Sequence, residues 1–379
     1  MTIGIDTRLY GAKHGGIGRY AQELIINLLK IDQKNQYVFF VYNNQDRRDI
    51  ACNVSATQPR FVHAPYRCYS LAEQVLMAQT IKKAKIDLMH FPHFNAPLVY
   101  NAPFIATIHD LIIHHFPDDR ATTLPRWLYQ IKLWGYKKVV KHAILKAKTI
   151  IAPSEFTKKD ILRFYNINPD KIKVVYEGVD LNLKLKKNLK FKIKNYLLYV
   201  GSAYPHKNLE KLIEAFAILR QKYKLTDLKL VFVGKIDYFY NQLKKYIISQ
   251  YPNIPISNII FYGYASDQEL AGLYQNASLY VFPSLHEGFG LPPLEAMSFG
   301  LPIAASCAAS IPEICGQAAL YFKPADAADI AEKIYQVYNN KELIAQLRQK
   351  GFEQIKKYSW RKMAKEILEV YEGCCNMQS

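Results

Sequence analysis

One pattern constrains the fold of this 379-residue chain above all others: short apolar runs alternate with helical periodicity, and the alternation runs through twice. In the first pass, the run at 3–6 leads through Gly15-Gly16-Ile17-Gly18 into a helix. Its apolar residues Ile17, Ala21, Leu24, Ile25 and Leu28 recur at i, i+4, i+7, i+8 and i+11. Further strands are expected at 37–41, 88–91, 104–109 and 150–153, and the segment 174–180 closes this half. The pattern restarts with a strand at 197–201, a helix at 208–223, and strands at 228–234, 259–262 and 279–282. Ser359 can cap a last helix from Trp360 to about Tyr371. Such alternation predicts parallel sheets covered by helices. A chain of this length exceeds what one core usually supports, so two α/β domains are expected.

Composition narrows the class. Half the residues are hydrophobic and 13% aromatic, which excludes extensive disorder. No apolar run reaches the roughly 18 residues of a membrane span, and Met1 leads directly into a strand without a signal peptide, so a cytoplasmic protein is expected. Six cysteines, Cys52, Cys68, Cys307, Cys315, Cys374 and Cys375, make no metal or disulfide pattern.

The net charge of +18 is local: residues 126–148 hold seven Lys/Arg and 184–194 hold six Lys, neither with an acid, so together they supply thirteen of the eighteen. On a helical projection of 126–148, Leu128, Tyr136, Val139, Val140 and Ala143 share one arc. Arg126, Lys137, Lys141 and Lys148 share another, with Trp127 and Trp134 at its border. A basic face edged by tryptophan suits peripheral contact with an anionic membrane surface, such as the inner face of a membrane; a solvated helix face fits the same pattern.

The densest chemistry lies in His286-Glu287-Gly288-Phe289-Gly290-Leu291-Pro292-Pro293-Leu294-Glu295, where seven residues separate two glutamates. After the apolar run 279–282 the chain turns at Pro283-Ser284, and Gly288 and Gly290 permit a backbone that presents consecutive amide N–H groups. A helix start is expected at 292–297, where proline is tolerated and a phosphate is favoured. Carboxylates beside a phosphate suit hydroxyls rather than the anion, and a nucleotide-sugar carries hydroxyls on both sides of its pyrophosphate. A loop acid and an ordinary helix-start acid would account for the same residues.

Three further positions stand out. Gly15-Gly16-Ile17-Gly18-Arg19 lies between the first strand and helix, where phosphate or a tight turn is accommodated. His109 ends an apolar strand. Lys207 precedes a helix N-terminus, a position unfavourable to a cation unless an anion is near.

The glutamate segment resembles the E-x7-E signature of the retaining family-4 glycosyltransferases. The glycine loop, His109, Glu177-Gly178-Val179-Asp180 and Lys207 follow in that family's order. The resemblance implies a GT-B fold, with two Rossmann-like domains facing each other across a cleft. An acceptor-side domain would span 1–182 and a nucleotide-sugar-binding domain 183–359, with a C-terminal helix at 360–379 packing back on the first. It also implies roles. Gly15, Gly16 and Arg19 would meet the donor's distal phosphate, and His109 would lie near the sugar and acceptor. Lys207 and the amides of Gly288, Phe289, Gly290 and Leu291 would stabilise the diphosphate. Glu287 would hold the sugar hydroxyls and Glu295 the ribose. Ser202 stands where the family supplies an arginine, leaving His206 or Arg19 as the candidate second cation. The implied reaction is metal-independent transfer of a hexose, mannose first, from a GDP- or UDP-linked nucleotide-sugar to a hydroxyl of a glycan or lipid-linked oligosaccharide. Configuration would be retained, and no cofactor is required. Two rivals remain at this point: a GT-B nucleotide-sugar epimerase, and a nucleic-acid-binding protein. The second would explain the charge but not the paired glutamates, so no nucleic acid partner is expected.

Overall fold

A computed structural model describes residues 1–52, 59–117, 122–179 and 193–376. The chain forms two units. One comprises Met1–Leu111, Leu124–Gly178 and Ser359–Ser379; the other comprises Ile112–Thr123 and Val179–Tyr358. Asp180 and most of the second basic stretch, residues 184–192, lie outside the described residues.

The first unit is built on β1 (Thr2–Asp6), β2 (Gln36–Val41), β3 (Arg60–His63), β4 (Leu88–Phe91), β5 (Phe104–Thr107), β6 (Thr149–Ala152) and β7 (Ile172–Val174). They pair in the order β3-β2-β1-β4-β5-β6-β7, and every pairing is parallel. On β1, Ile3 lies opposite Tyr37 on one side and Leu88 on the other. Burial on both faces explains why these strands read as continuous apolar runs. Phe40, Met89, Phe91, Ala106 and Ile150 form a core with Val140, Ala143 and Ile144 of the helix Arg126–Lys146. The C-terminal helix Trp360–Asn376 packs against the helix Gly15–Ile31. Gly178 permits this unit's closure: a Cβ there would lie 2.1 Å from the backbone N of Trp360.

The second unit repeats the plan with β8 (Tyr196–Val200), β9 (Lys229–Val233), β10 (Ile259–Gly263), β11 (Leu279–Phe282), β12 (Ile303–Ser306) and β13 (Leu320–Phe322), ordered β10-β9-β8-β11-β12-β13. Leu197, Tyr199, Leu230, Phe232 and Val281 pack against Leu212, Ile213 and Phe216 of the helix Leu209–Gln221. Fully burying one such side chain contributes about 1.5–3 kcal/mol. In each sheet the strand order reverses once, between β1 and β4 and between β8 and β11. Loops leaving the carboxyl ends of those strands diverge there and leave a crevice suited to a ligand.

The local expectations are adjusted in three places. β5 stops at Thr107, so His109 sits in the loop beyond it. The glycine segment is not a free loop: Gly15 to Gly18 form the first turn of the helix Gly15–Ile31, behind a short 3-10 turn at Ala12–His14. On the basic helix, Leu133 and Ile144 join Val140 and Ala143 in the buried stripe, while Leu128 and Val139 are half-buried.

Candidate functional site

At the switch point of the second unit, the loop after β8 carries Lys207 and the loop after β11 carries Glu287. Lys207 Nζ donates to both oxygens of Glu287, at 2.7 and 2.9 Å. Both side chains are largely buried, Glu287 being 8% exposed. Burial alone would raise the Glu287 pKa, but the charge of Lys207 outweighs it and holds the carboxyl below its ordinary value. The anion that makes Lys207 tolerable beside a helix start is therefore already present in the protein. Removing either partner from such a pair costs about 3–5 kcal/mol.

The two loops are stitched together by neutral bonds. Asn208, in the left-handed region at φ 61, donates from Nδ2 to the carbonyls of Pro283 (3.1 Å) and Pro324 (2.7 Å). Leu285 N–H donates to His206 O at 2.8 Å. Ser310 Oγ donates to the carbonyls of Glu287 (2.9 Å) and Phe289 (3.2 Å), fixing the motif backbone from the far side. Tyr199 Oη donates to Ser202 O at 2.7 Å, which orients the turn leading to Lys207.

The glycines then act as the sequence requires. Gly290 caps the helix Leu291–Ser298 at φ 98, a conformation open to glycine. The helix start offers fewer donors than expected, because Pro292 and Pro293 carry no N–H. Leu291 and the turn before it must supply the amides. Glu295, one turn into this helix, is buried and accepts a hydrogen bond from Tyr274 Oη at 2.9 Å. The two glutamates thus have separate environments, one paired with a cation and one with a phenol.

Burial, reinforced by Lys207, pushes the His206 pKa down to about 4, so the ring by itself is neutral near neutral pH. Arg19 lies in the first unit, on the helix opened by Gly15 and Gly16. Gly15 has φ 67, and a Cβ on Gly15 or Gly16 would meet nothing within 4 Å. His115, which nothing in the sequence singled out, is grouped with the second unit, its ring 4.5 Å from that of His286. Elsewhere in the second unit, the strand β10 leads into the helix Asp267–Asn276 through a capping box, with Ser266 and Glu269 exchanging hydrogen bonds.

In the first unit, His109 is buried between two acceptors. Its Nδ1 lies 3.2 Å from Glu177 Oε1 and its Nε2 2.9 Å from Pro92 O, and two acceptors favour the doubly protonated, charged ring. Burial opposes this, but the hydrogen bond and charge of Glu177 prevail and raise the pKa above its usual value. A buried relay supports the ring. Tyr371 Oη is 2.7 Å from His90 Nδ1, His90 Nε2 is 3.0 Å from Thr107 Oγ1, and that hydroxyl is 3.0 Å from Tyr20 Oη. Tyr20 in turn meets His109 edge-on at 4.7 Å.

The helix Arg126–Lys146 exposes Trp127 (67%), Ile131 (58%) and Trp134 (65%) beside Arg126, Lys137, Lys138 and Lys141. Among the described residues no helix is long and apolar enough to cross a membrane.

Comparison with known proteins agrees with this geometry. The sequence model "Glycosyltransferase Family 4" matches residues 14–183 and "Glycosyl transferases group 1" matches 182–354, so the two meet between the units and together span most of the chain. O-antigen chain mannosyltransferase B of Escherichia coli is 25% identical, over 94% of this chain and 96% of its own length. O-antigen chain mannosyltransferase RfbU of Salmonella typhimurium is 29% identical over 68% of this chain, and the match spans 65% of that protein. The structure of HepE from Anabaena, solved with UDP-glucose, superposes with a TM-score of 0.74 at 16% identity, covering 98% of this chain and all of the other.

Proposed function

Since the chain belongs to the group 1, family 4 glycosyltransferases of GT-B fold, we propose that it transfers a hexose, mannose first, from a GDP- or UDP-linked nucleotide-sugar to a hydroxyl of a glycan or lipid-linked acceptor, with retention of configuration. The observation that carries this reading is the Lys207–Glu287 pair at the switch point of the second unit, beside the turn at Gly290. The O-antigen mannosyltransferases among the relatives favour mannose and weigh against an epimerase.

The assignments follow the local chemistry. An ammonium has three donors, and Lys207 directs its bonds here at one carboxylate, which leaves capacity for a phosphate oxygen. The amides of Gly288, Phe289, Gly290 and Leu291 would add preorganised donors to the leaving diphosphate, the role a divalent ion serves elsewhere. Glu287, kept ionised by Lys207, would accept from sugar hydroxyls, and Glu295, steadied by Tyr274, from the ribose. Ser202 and His206 would line the same turn as hydrogen-bonding groups, His206 by itself a neutral one given its lowered pKa. Arg19, behind Gly15 and Gly16, remains the candidate second cation for the distal phosphate. His109 would act through the fixed positive charge that Glu177 sustains. Nothing in this arrangement calls for an enzymic nucleophile, so the acceptor would attack on the face the diphosphate leaves, giving up its proton to the departing phosphate.

The exposed tryptophans and lysines of Arg126–Lys146 would hold the enzyme against an anionic membrane, where a lipid-linked acceptor resides. The test of the whole reading is transfer from GDP-mannose and UDP-hexoses in EDTA, with the product anomer assigned by NMR. Retained configuration with full activity is expected, and Glu287→Ala should lower transfer by orders of magnitude without loss of fold. An inverted product, or wild-type activity in Glu287→Ala, would overturn it.

A further inference from the structure

The switch point of the first unit carries a cluster that the assignments above do not use. Tyr69 is 61% exposed, yet its backbone has φ 67, a region that a residue bearing a Cβ enters only at a cost and that concentrates at functional sites. What holds it there is Glu73, whose Oε2 accepts the Tyr69 N–H at 2.6 Å. The other oxygen, Oε1, accepts from Asn95 Nδ2 at 2.8 Å and Arg8 Nη2 at 2.5 Å. Arg8 is itself gripped by both oxygens of Asp6 at the end of β1. One buried carboxylate therefore fixes two loops at once: that of Tyr69, and that after β4, which carries His93 and Phe94 two residues and one residue before Asn95. A π-helical turn at Glu73–Met77, a conformation frequent at functional sites, begins at the same residue.

The side chains so presented converge. The His93 ring centroid is 3.9 Å from that of Phe94, and it meets Tyr69 edge-on at 6.0 Å and His109 at 6.1 Å. His93 is 8% exposed, and its Nδ1 is buried without a hydrogen-bond partner among the described residues. Buried polar atoms are nearly always paired, so an unpaired one calls for a partner, a water or a ligand. Burial, together with the charge of His109, keeps this imidazole neutral, free to donate or accept according to its tautomer. Packing does not explain an exposed ring held in a strained backbone; an open aromatic face beside a hydrogen-bonding nitrogen suits the C–H face and hydroxyls of a pyranose.

We propose that Tyr69, His93 and Phe94 form a subsite for a neutral sugar residue of the acceptor, with Tyr69 as stacking platform, His93 as hydrogen-bonding partner of a hydroxyl, and Glu73 as positioning residue for both loops. This rests on the glycosyl-transfer reading, and the experiment separates the two. Wild-type enzyme is first offered glycosides ending in mannose, glucose, galactose or N-acetylglucosamine, with transfer and donor hydrolysis both recorded. If none is converted and no donor is hydrolysed, the transfer reading itself falls. With a converted acceptor, Tyr69→Gly and His93→Ala should raise the acceptor KM tenfold or more, leaving the donor KM and acceptor-free donor hydrolysis within twofold. Tyr69→Gly is favourable at φ 67, so it should melt no lower than wild type, and Tyr69→Phe should restore most acceptor affinity. An acceptor KM within twofold of wild type in both truncations, a site completed by water only, would overturn the subsite. So would equal changes in donor and acceptor parameters.

Discussion

Replacing Glu177 by Gln should switch the charge of a histidine 68 residues away in sequence. His109 Nδ1 lies 3.2 Å from Glu177 Oε1, and both side chains are largely buried. Two unit charges centred about 4 Å apart interact by roughly 4 kcal/mol at an effective dielectric of about 20. That corresponds to about three pKa units. With the carboxylate gone, burial becomes the dominant influence, and the His109 pKa should fall from above its ordinary value to well below it. The assay is a titration of the imidazole resonances in histidine-labelled protein, with the His109 signal identified by its absence in His109→Gln. Wild-type His109 should be charged at neutral pH and the Glu177→Gln ring neutral. Stability supplies the sign check. A pKa raised on folding contributes stability that is complete below about 6.5 and is lost as pH rises through the folded value. Near pH 6 the variant should therefore lose about 2 kcal/mol, in the range for a hydrogen bond between charged groups. That is a fall of about 4–8 °C in the transition that includes the first unit. The deficit should shrink at alkaline pH. Identical His109 titrations in the two proteins, or a deficit independent of pH, would refute the pairing.

Two other outcomes follow from the geometry. Asn208→Ala forfeits two hydrogen bonds to carbonyls and strains a residue at φ 61, so it should cost about 2–3 kcal/mol and raise the donor KM by loosening the Lys207 turn. Asn208→Gly, free of the strain, should fall between it and wild type, and equal melting of all three proteins would contradict the stitching. Trp127→Ala/Trp134→Ala should weaken sedimentation with phosphatidylglycerol vesicles by about tenfold without altering catalysis on a soluble acceptor. Binding that ignores both the substitutions and added salt would remove the helix Arg126–Lys146 from the membrane account.

The sequence made the strands at the middle of each sheet legible because both their faces are buried, so β1, β4, β8 and β11 stand out as apolar runs. It hid β3, β7 and β13, which lie at sheet edges, and β12, whose Ile303-Ala304-Ala305-Ser306 is too weakly apolar to stand out from loop. The motif glutamates were visible through their glycine and proline neighbours, which announce a turn and a helix start. What occupies them was not visible. The bond from Tyr274 to Glu295 depends on where the helix Asp267–Asn276 docks, and the neutrality of His206 depends on burial that no local pattern encodes. The same limit concealed Glu73, whose neighbours Leu71, Val75 and Leu76 suggest an ordinary helix. Its importance arises only when β1 and β4 bring Arg8 and Asn95 to it.

The central claim is that the Lys207–Glu287 turn is the seat of the donor diphosphate. Titration calorimetry with GDP and UDP tests it most directly, comparing wild type with Lys207→Met, which keeps most of the length of the side chain and removes its charge. The account predicts saturable binding of one nucleotide by wild type, without added metal, and a loss of about two orders of magnitude in affinity in the variant, on the scale of a charge-assisted contact. Binding of equal strength by both proteins would contradict it.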